Sequence, residues 1–269
     1  MVKRIHICVV ALLLLPAQHR AQSPGFTNPL NQLQDCRVKS LDEFVNRFNG
    51  TEVPDFIKKS SAPQTRKTYV SALFDTVFYP NANREKNTTV DEFVSAVVFN
   101  NHQIDMYDSN CYAEARCIFV YKGKDVGLNV VLQYEKIRED YYKWSIVGAN
   151  GLDEAGLLPP QEEGYISPVQ HEFHFAELKK AFPHMSAYCK HDYRPDQLSY
   201  LQALVEKNVL QYKYCEYHRY YFFSVPNYLF IVTLKNRIDT NSGWLISDVV
   251  EVTPADRQSV IGSFLGRNH

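Results

Sequence analysis

The sequence predicts an α+β protein made of two tandem units, each with helices followed by an antiparallel meander of strands. Three observations lead to this prediction. Lys143-Trp144-Ser145-Ile146 matches Gly243-Trp244-Leu245-Ile246 at an offset of 100 residues, and residues 128–134 match 229–235 at nearly the same offset. Both matched pairs lie in strand-like runs that follow helical patterns. A stretch rich in proline and acidic residues separates the two halves, so the simplest interpretation is an internal repeat.

The first unit opens with an amphipathic helix. Leu41, Phe44, Val45 and Phe48 recur at helical spacing, and Ser40 with Glu43 forms a capping box at the start. Helical patterns continue over 65–78 and 89–99. Strand-like alternation then covers 113–121, 126–135 and 141–147, with turn residues between the runs.

The second unit repeats this order. Phe175, Leu178, Lys179 and Phe182 show the spacing of the opening helix, and a longer amphipathic helix is predicted over 195–210. Strands are expected at 212–224, 228–236 and 243–252. The sequence therefore predicts domains over 36–152 and 168–265, joined by a linker over 153–167.

The amino terminus has the pattern of a secretory signal peptide. Lys3 and Arg4 precede an apolar run over 7–15, and Pro16 and Ala17 close it. We expect cleavage after residue 21, with Ala17 as a rival site, and a flexible leader over 22–35. The run is shorter than the ~20 residues of a membrane-spanning helix, and no cysteine follows the cleavage point to carry a lipid. The expected location is periplasmic or secreted, with no transmembrane segment in the mature chain.

Charge and motifs exclude several functions. The chain carries 29 basic and 30 acidic residues, so it has no basic field for nucleic acid. Phosphate-binding loops, dinucleotide fingerprints, the nucleophile elbow, zincin motifs and Cys-x-x-Cys are missing from the sequence. We expect no nucleic-acid partner and no cofactor.

Five cysteines follow the signal peptide: Cys36, Cys111, Cys117, Cys189 and Cys215. Because the number is odd, at least one thiol is free or pairs between chains. Cys111 and Cys117 would lie about 20 Å apart on one strand, too far for a bond. Cys189 with Cys215 is the better candidate pair. Because the chain is long enough to fold without a disulfide framework, buried free thiols are the expected state.

The densest group of potential metal ligands is His171, Glu172, His174, His184, Cys189 and His191. His171 and His174 would share a face if they lay on a helix and could then hold zinc or copper with a third ligand. The group spans a predicted helix start, where histidines are commonly solvated, so the sequence favours no metal site.

The order of elements and the two terminal tryptophan strands, with Trp144 and Trp244, resemble the nuclear transport factor two-like, or cystatin-like, fold. The resemblance covers about 36–152 and 168–262, and such tandem domains occur among exported proteins of Bacteroidetes type. It implies two tandem helix-plus-bent-antiparallel-sheet domains, each a cone with a pocket at its open end. It assigns no functional residue, because this fold carries many activities.

The segment 212–223 is the most aromatic stretch of the chain. Strand alternation would place Tyr212, Tyr214, Glu216, His218, Tyr220 and Phe222 on one face, and the residues between them on the other. Tyrosine rings with interleaved charges suit a ligand surface, but packing in the core or between the two halves is the favoured explanation. The ligand-binding candidates are Tyr214, Tyr217, His218, Tyr220 and Trp244.

These features favour an exported, non-catalytic binding protein. Its expected partner is a small molecule, glycan or peptide, or another cell-envelope protein. The alternative is a small-molecule isomerase or lyase that uses a carboxylate and tyrosines within a cone. Asp105, Asp108, Glu114 and Glu135 are the carboxylates available for such chemistry.

Overall fold

The computed structural model describes most of the chain downstream of the predicted leader. The described residues are 38, 40–53, 65–77, 79, 84–139, 141–158, 164–168, 175, 178–190, 195–237 and 241–267. The predicted signal peptide over 1–21 and the leader over 22–35 lie outside them. So do Cys36, His171, Glu172, His174 and His191.

One six-stranded antiparallel sheet contains strands from both halves of the chain. The strands are β1 Cys111–Tyr121, β2 Lys124–Arg138, β3 Tyr141–Asn150, β4 Leu210–Phe222, β5 Tyr228–Lys235 and β6 Gly243–Glu251. Their order is β3-β2-β1-β4-β5-β6, so β1 and β4 pair where the two meanders meet. The predicted α+β class is confirmed, and all six strands lie within a few residues of their predicted positions.

The helices lie before each meander and at the carboxyl end of the described chain. They are α1 Leu41–Asn49, α2 Arg66–Ser71, α3 Arg84–Phe99, α4 Leu178–Ala181, α5 Gln197–Glu206 and α6 Pro254–Phe264, with a 3₁₀ helix over Phe182–Tyr188. The Ser40 side chain accepts the Glu43 backbone N–H at 3.1 Å, as the capping signal predicts. Helix α2 is shorter than predicted. Helix α6 was not predicted, although Thr253 caps it and Pro254 opens it.

Helices of the first half pack on strands of the second half. The Phe48 ring stacks on Phe230 with centroids 5.4 Å apart, and Phe44 contacts Phe222 at 6.3 Å. Helix α3 adds Phe93, which lies 5.3 Å from Phe230. We call the side of the sheet that these helices cover the front face. Most of the largest fully buried rings therefore belong to a core shared between the two halves.

The helix of the second half packs on strands of the first half in the same way. Leu201 of α5 lies on the front face in a buried cluster with Phe119, Leu128 and Val130 of β1 and β2. On the opposite side, the back face, α6 covers the centre of the sheet. Its Phe264 ring contacts Tyr221 at 4.4 Å. The molecule thus has a helical layer on each side of the sheet.

The pairing register reveals an internal two-fold relation. Tyr134 pairs with Trp144 in β2–β3, and Leu234 pairs with Trp244 in β5–β6. Each of these two ladders shifts register at equivalent points, between Val131 and Leu132 and between Ile231 and Val232. The central β1–β4 pair, Ala113↔Tyr220, fits this relation, because Ala113 also pairs with Leu132 of β2 and Tyr220 with the equivalent Val232 of β5. The repeat seen in the sequence is therefore also a repeat of strand register.

The two outer edges of the sheet differ. On β6, Trp244 N–H donates to the Val38 carbonyl at 3.1 Å and Ile246 N–H donates to the Leu73 carbonyl at 2.8 Å. Gly243 permits this approach, because a Cβ there would lie 2.3 Å from the Val38 oxygen. Its equivalent in β3 is Lys143, and no described segment pairs with the outer edge of β3. No helix among the described residues is long and apolar enough to cross a bilayer.

Candidate ligand-binding site

Two β-bulges rearrange the aromatic strand β4. Opposite β1, Arg116 pairs with Tyr217 but Cys117 pairs with Cys215, so Glu216 is an extra residue. A second shift between Ile118 and Phe119 makes Lys213 extra as well. Each bulge reverses the alternation of faces. The expectation that Tyr212, Tyr214 and Tyr220 share one face was therefore wrong.

The bulges distribute the candidate residues over both faces. Tyr212, Cys215, His218 and Tyr220 lie on the front face, opposite Phe119, Cys117, Ala115 and Ala113 of β1. Tyr214 and Tyr217 lie on the back face, opposite Ile118 and Arg116. Of the five predicted ligand-binding residues, His218, Tyr220 and Trp244 come together, while Tyr214 and Tyr217 lie apart from them.

The front face carries an aromatic array that reaches across the centre of the sheet. Tyr134 stacks on Trp144 with centroids 3.8 Å apart, and Trp144 lies 6.4 Å from Tyr220. Tyr220 in turn lies 5.3 Å from Trp244, and His218 lies 5.3 Å from the same indole. We define these five residues as the aromatic array. The array places both repeat tryptophans beside one tyrosine.

The aromatic array is uncharged near neutral pH. Burial, together with the neighbouring Tyr134 and Cys111, raises the pKa of Tyr220 to about 12. Partial burial of the His218 ring lowers the pKa of that imidazole. A neutral tyrosine and a neutral histidine therefore adjoin the two indoles.

A cleft of about 470 Å³ lies between α5 and the front face, beside the aromatic array. Its lining residues are Cys117, Phe119, Val130, Ile146, Leu198, Leu201, Gln202, Val205 and Tyr212. We call it the α5 cleft. Ile146 in its wall is two residues from Trp144 on the same strand face, so the cleft and the array are neighbours.

Helix α5 supplies one wall of the cleft through residues at helical spacing. Leu198, Leu201 and Val205 fall on one side of the helix. Asp196 holds the start of the helix, because its carboxylate accepts the Ser199 backbone N–H at 2.9 Å. The amphipathic pattern of α5 therefore creates the cleft, with its apolar side toward the sheet.

The polar groups of the α5 cleft are few and neutral. The Gln202 amide donates to Glu206 at 2.7 Å, and the Tyr212 ring rests edge-on against Phe119 at 5.9 Å. None of the described residues that line the cleft carries a formal charge. Ile146 is 56% exposed and Val205 37%, so part of the apolar wall is open to solvent.

Tyr214 and Tyr217 adjoin charged groups on the back face. The Lys213 ammonium lies 5.8 Å from the centre of the Tyr214 ring and bonds to Asp125 at 2.7 Å. Arg219 donates to the buried Glu114 carboxylate, which also accepts the Tyr221 hydroxyl at 3.0 Å. Glu114, one of the candidate carboxylates, is therefore engaged on the face opposite the cleft.

The other candidate carboxylates also lie away from the α5 cleft. Asp105 accepts the Tyr107 backbone N–H at 2.9 Å, and Asp108 accepts that of Asn110 at 3.1 Å. Glu135 pairs with Lys143 at 3.1 Å on the surface. All three carboxylates take part in turns or surface ion pairs, and none of them lines the cleft.

Of the predicted metal-ligand group, the structure describes only His184 and Cys189. The Cys189 thiol donates to the Met185 carbonyl at 3.4 Å. Within the described ranges no three histidine, cysteine or acidic side chains cluster as a metal site would require.

Sequence reasoning missed the residues of the α5 cleft. The spacing of Leu198, Leu201 and Val205 was visible in the predicted amphipathic helix, but nothing in the sequence says which strands that helix covers. Trp144 was recognised as a repeat marker and not as a site residue. Comparison with protein-family models, with curated proteins and with solved structures gave no match.

Proposed function

We propose that this chain is an exported binding protein that holds a small, neutral, apolar molecule in the α5 cleft. The observation that carries the proposal is the cleft itself, with its volume of about 470 Å³ and its largely apolar walls. Binding pockets for small molecules commonly fall between about 300 and 1,000 Å³ and combine apolar walls with a few polar groups. The α5 cleft has both properties.

The lining chemistry suggests the class of ligand. Apolar walls favour an aliphatic or ring-shaped body, since removing such surface from water contributes about 25 cal/mol per Å². A charged ligand would lose its hydration and find no opposite charge among the described lining residues. The Gln202 amide and the Tyr212 hydroxyl suit one neutral polar end, such as a hydroxyl or carbonyl group.

The rival reading, an isomerase or lyase, requires a carboxylate inside an apolar pocket. Asp105, Asp108, Glu114 and Glu135 all have other partners outside the cleft. A glycan surface is also less favoured, because the rings of the aromatic array contact one another. The arrangement supports binding of an apolar molecule over both alternatives.

The same proposal includes two further points: that the halves derive from cystatin-like units, and that the chain is exported. The equivalent registers of β2–β3 and β5–β6 support an origin in two tandem cystatin-like units with bent sheets. The amino-terminal pattern supports export to the periplasm or medium. Expression of the full chain in a bacterial host, followed by fractionation and mass measurement of the amino terminus, tests export; an unprocessed cytoplasmic protein would contradict it.

The binding proposal is tested with a neutral long-chain alcohol and the fatty acid of equal length. We expect saturable binding of the alcohol at pH 7.5, followed by tryptophan fluorescence because Trp144 adjoins the cleft. The acid should bind at least about tenfold more weakly, a difference of about 1.4 kcal/mol. Ile146→Lys and Val205→Lys should each weaken alcohol binding by about tenfold or more, since they place a charge in the apolar wall.

Val250→Lys is the matched control. Val250 is an exposed apolar residue of β6 that does not line the cleft, so this variant should bind the alcohol like the wild type. Circular dichroism and urea unfolding must show that all three variants are folded. Equal binding by the cleft variants and the control, or no binding of any neutral apolar probe by the wild type, would refute the proposal.

A further inference from the structure

Two cysteines face each other at the centre of the sheet. Cys117 of β1 and Cys215 of β4 are Cα partners across the antiparallel ladder, so their side chains leave the sheet on the same face. Cα atoms of such partners lie about 4.5 or 5.5 Å apart. Disulfides span Cα separations of about 4.4 to 6.8 Å. The backbone register is therefore compatible with a bond between the two sulfur atoms.

The bulge at Glu216 creates this pairing. Arg116, the residue before Cys117 in β1, pairs with Tyr217. A regular register would therefore have placed Glu216 opposite Cys117. The extra residue brings Cys215 into that position instead. The sequence predicts free thiols, with Cys189 as the better candidate partner of Cys215. It does not point to Cys117, because the bulge cannot be read from the sequence.

The two thiols differ in accessibility. Burial, together with the neighbouring Cys215 thiol, raises the pKa of Cys117 to about 11. Cys215 is less buried, and its thiol donates to the Tyr217 carbonyl at 3.3 Å. All four described cysteines are free thiols in this structure. Cys111 is buried opposite Phe222, and Cys189 bonds to Met185, so neither faces another described cysteine.

We propose that Cys117 and Cys215 form a cross-strand disulfide when the protein meets a disulfide oxidant. The Cys215 thiolate attacks one sulfur of the oxidant, for example glutathione disulfide, and releases one glutathione thiol. The Cys117 thiolate then attacks the Cys215 sulfur of the mixed disulfide and releases the second glutathione. Two protein thiols are oxidised to one disulfide, and the oxidant is reduced to two thiols that take up the two protons.

The bond would add a covalent cross-link between the two halves of the chain. The β1–β4 ladder is where the two meanders join, and the closed loop contains β2, β3 and α5. Closing so long a loop restricts the unfolded chain strongly. We expect oxidation to raise the Tm by about 5 to 10 °C. This inference goes beyond ligand binding, and its test does not depend on any ligand.

The experiment uses the chain without its predicted signal peptide, incubated at pH 8 with glutathione disulfide. Remaining thiols are then alkylated, and the protein is digested with trypsin without reduction. Cys117 falls in the peptide 117–122 and Cys215 in the peptide 214–219, whereas Cys111 and Cys189 fall in other peptides. We expect the first two peptides to appear linked, with the mass of a disulfide, and to separate on reduction.

Three variants control this assignment. Cys117→Ser and Cys215→Ser should each abolish the linked peptide and the rise in Tm, whereas Cys189→Ser should retain both. Circular dichroism of the reduced variants shows whether each has folded. The inference is overturned if both thiols of the folded wild type remain open to alkylation after oxidation, or if Cys215 is linked to Cys36 or Cys189.

Discussion

His218 is the side chain of the aromatic array that can take up a proton in mild acid, and its neighbours determine how it does so. Its ring lies 5.7 Å from Tyr220 and 5.3 Å from Trp244. Both neighbours are neutral rings that displace water without offering a counter-charge. Partial burial therefore lowers the pKa of His218, because the imidazolium ion loses more hydration than the neutral ring.

This shift links stability to pH. In the unfolded chain His218 has a pKa near 6.5, so the unfolded state binds the proton more tightly than the folded state. The contribution of His218 is fully present above about pH 6.5 and is lost as the pH falls through the folded pKa. We expect the free energy of unfolding to fall less between pH 7.5 and pH 5 in His218→Phe than in the wild type, as measured by urea unfolding.

His184→Phe is the control for this prediction, since it removes an exposed histidine of the 3₁₀ helix and leaves His218 in place. It should keep a larger share of the wild-type pH dependence than His218→Phe does. An NMR titration of the ring protons gives the pKa of His218 directly. A midpoint at or above 6.5 would contradict the prediction.

The candidate site could be predicted from the sequence only in part, and β4 shows why. Strict alternation correctly places His218 and Tyr220 on one face, because no bulge lies between them. It fails for Tyr214, because the extra residue at Glu216 moves that side chain to the other face, and a second extra residue at Lys213 returns Tyr212 to the first face. A bulge changes pairing without changing composition, so the hydrophobic pattern does not reveal it.

Among the elements, the edge strand β6 depends on one glycine. Gly243 has φ +99°, and its missing side chain lets Val38 pair with the start of β6. Gly123, in the β1–β2 turn, also has positive φ, at +78°, but nothing lies within 4 Å of the place a Cβ would take. Comparing substitutions at the two glycines therefore separates the stability cost of the backbone conformation from the cost of the close contact with Val38.

Alanine at each position measures these effects. Gly123→Ala should cost about 1 to 2 kcal/mol, the ordinary penalty of an alanine in the left-handed region. Gly243→Ala should cost about 1 to 3 kcal/mol more, because its Cβ would also displace the Val38 backbone. Urea unfolding of both variants gives the difference, and hydrogen exchange of the Trp244 amide reports the lost bond. Equal costs would show that the contact contributes nothing.

The elements themselves were largely predictable, since their signals are local. Ser40 and Glu43 mark the start of α1, and the turn after β1 has left-handed residues at Lys122 and Gly123. The sequence also revealed the repeat, because Trp144 and Trp244 stand at equivalent registers. It did not reveal that β1 pairs with β4, since such a long-range pairing leaves no local signature.

At the scale of the whole molecule, helices of each half pack on the strands of the other half. Phe48 and Phe93 of the first half pack on Phe230 of the second, while Leu201 of the second half packs on the strands of the first. The predicted division into 36–152 and 168–265 follows the repeat in the chain. Each of these segments would expose the strand surface that the helices of the other segment cover.

We therefore expect that neither 36–152 nor 168–265 folds alone. Each segment would keep its own strands but lose the buried rings or leucines that cover them, along with the β1–β4 ladder. Burial of these side chains is the main favourable contribution to folding. Urea titrations followed by circular dichroism should show no cooperative unfolding for either segment, and a cooperative transition for 36–265. Mixing the two segments should restore structure, because their surfaces are complementary. A cooperative transition in either segment by itself would show that a half has a sufficient core of its own.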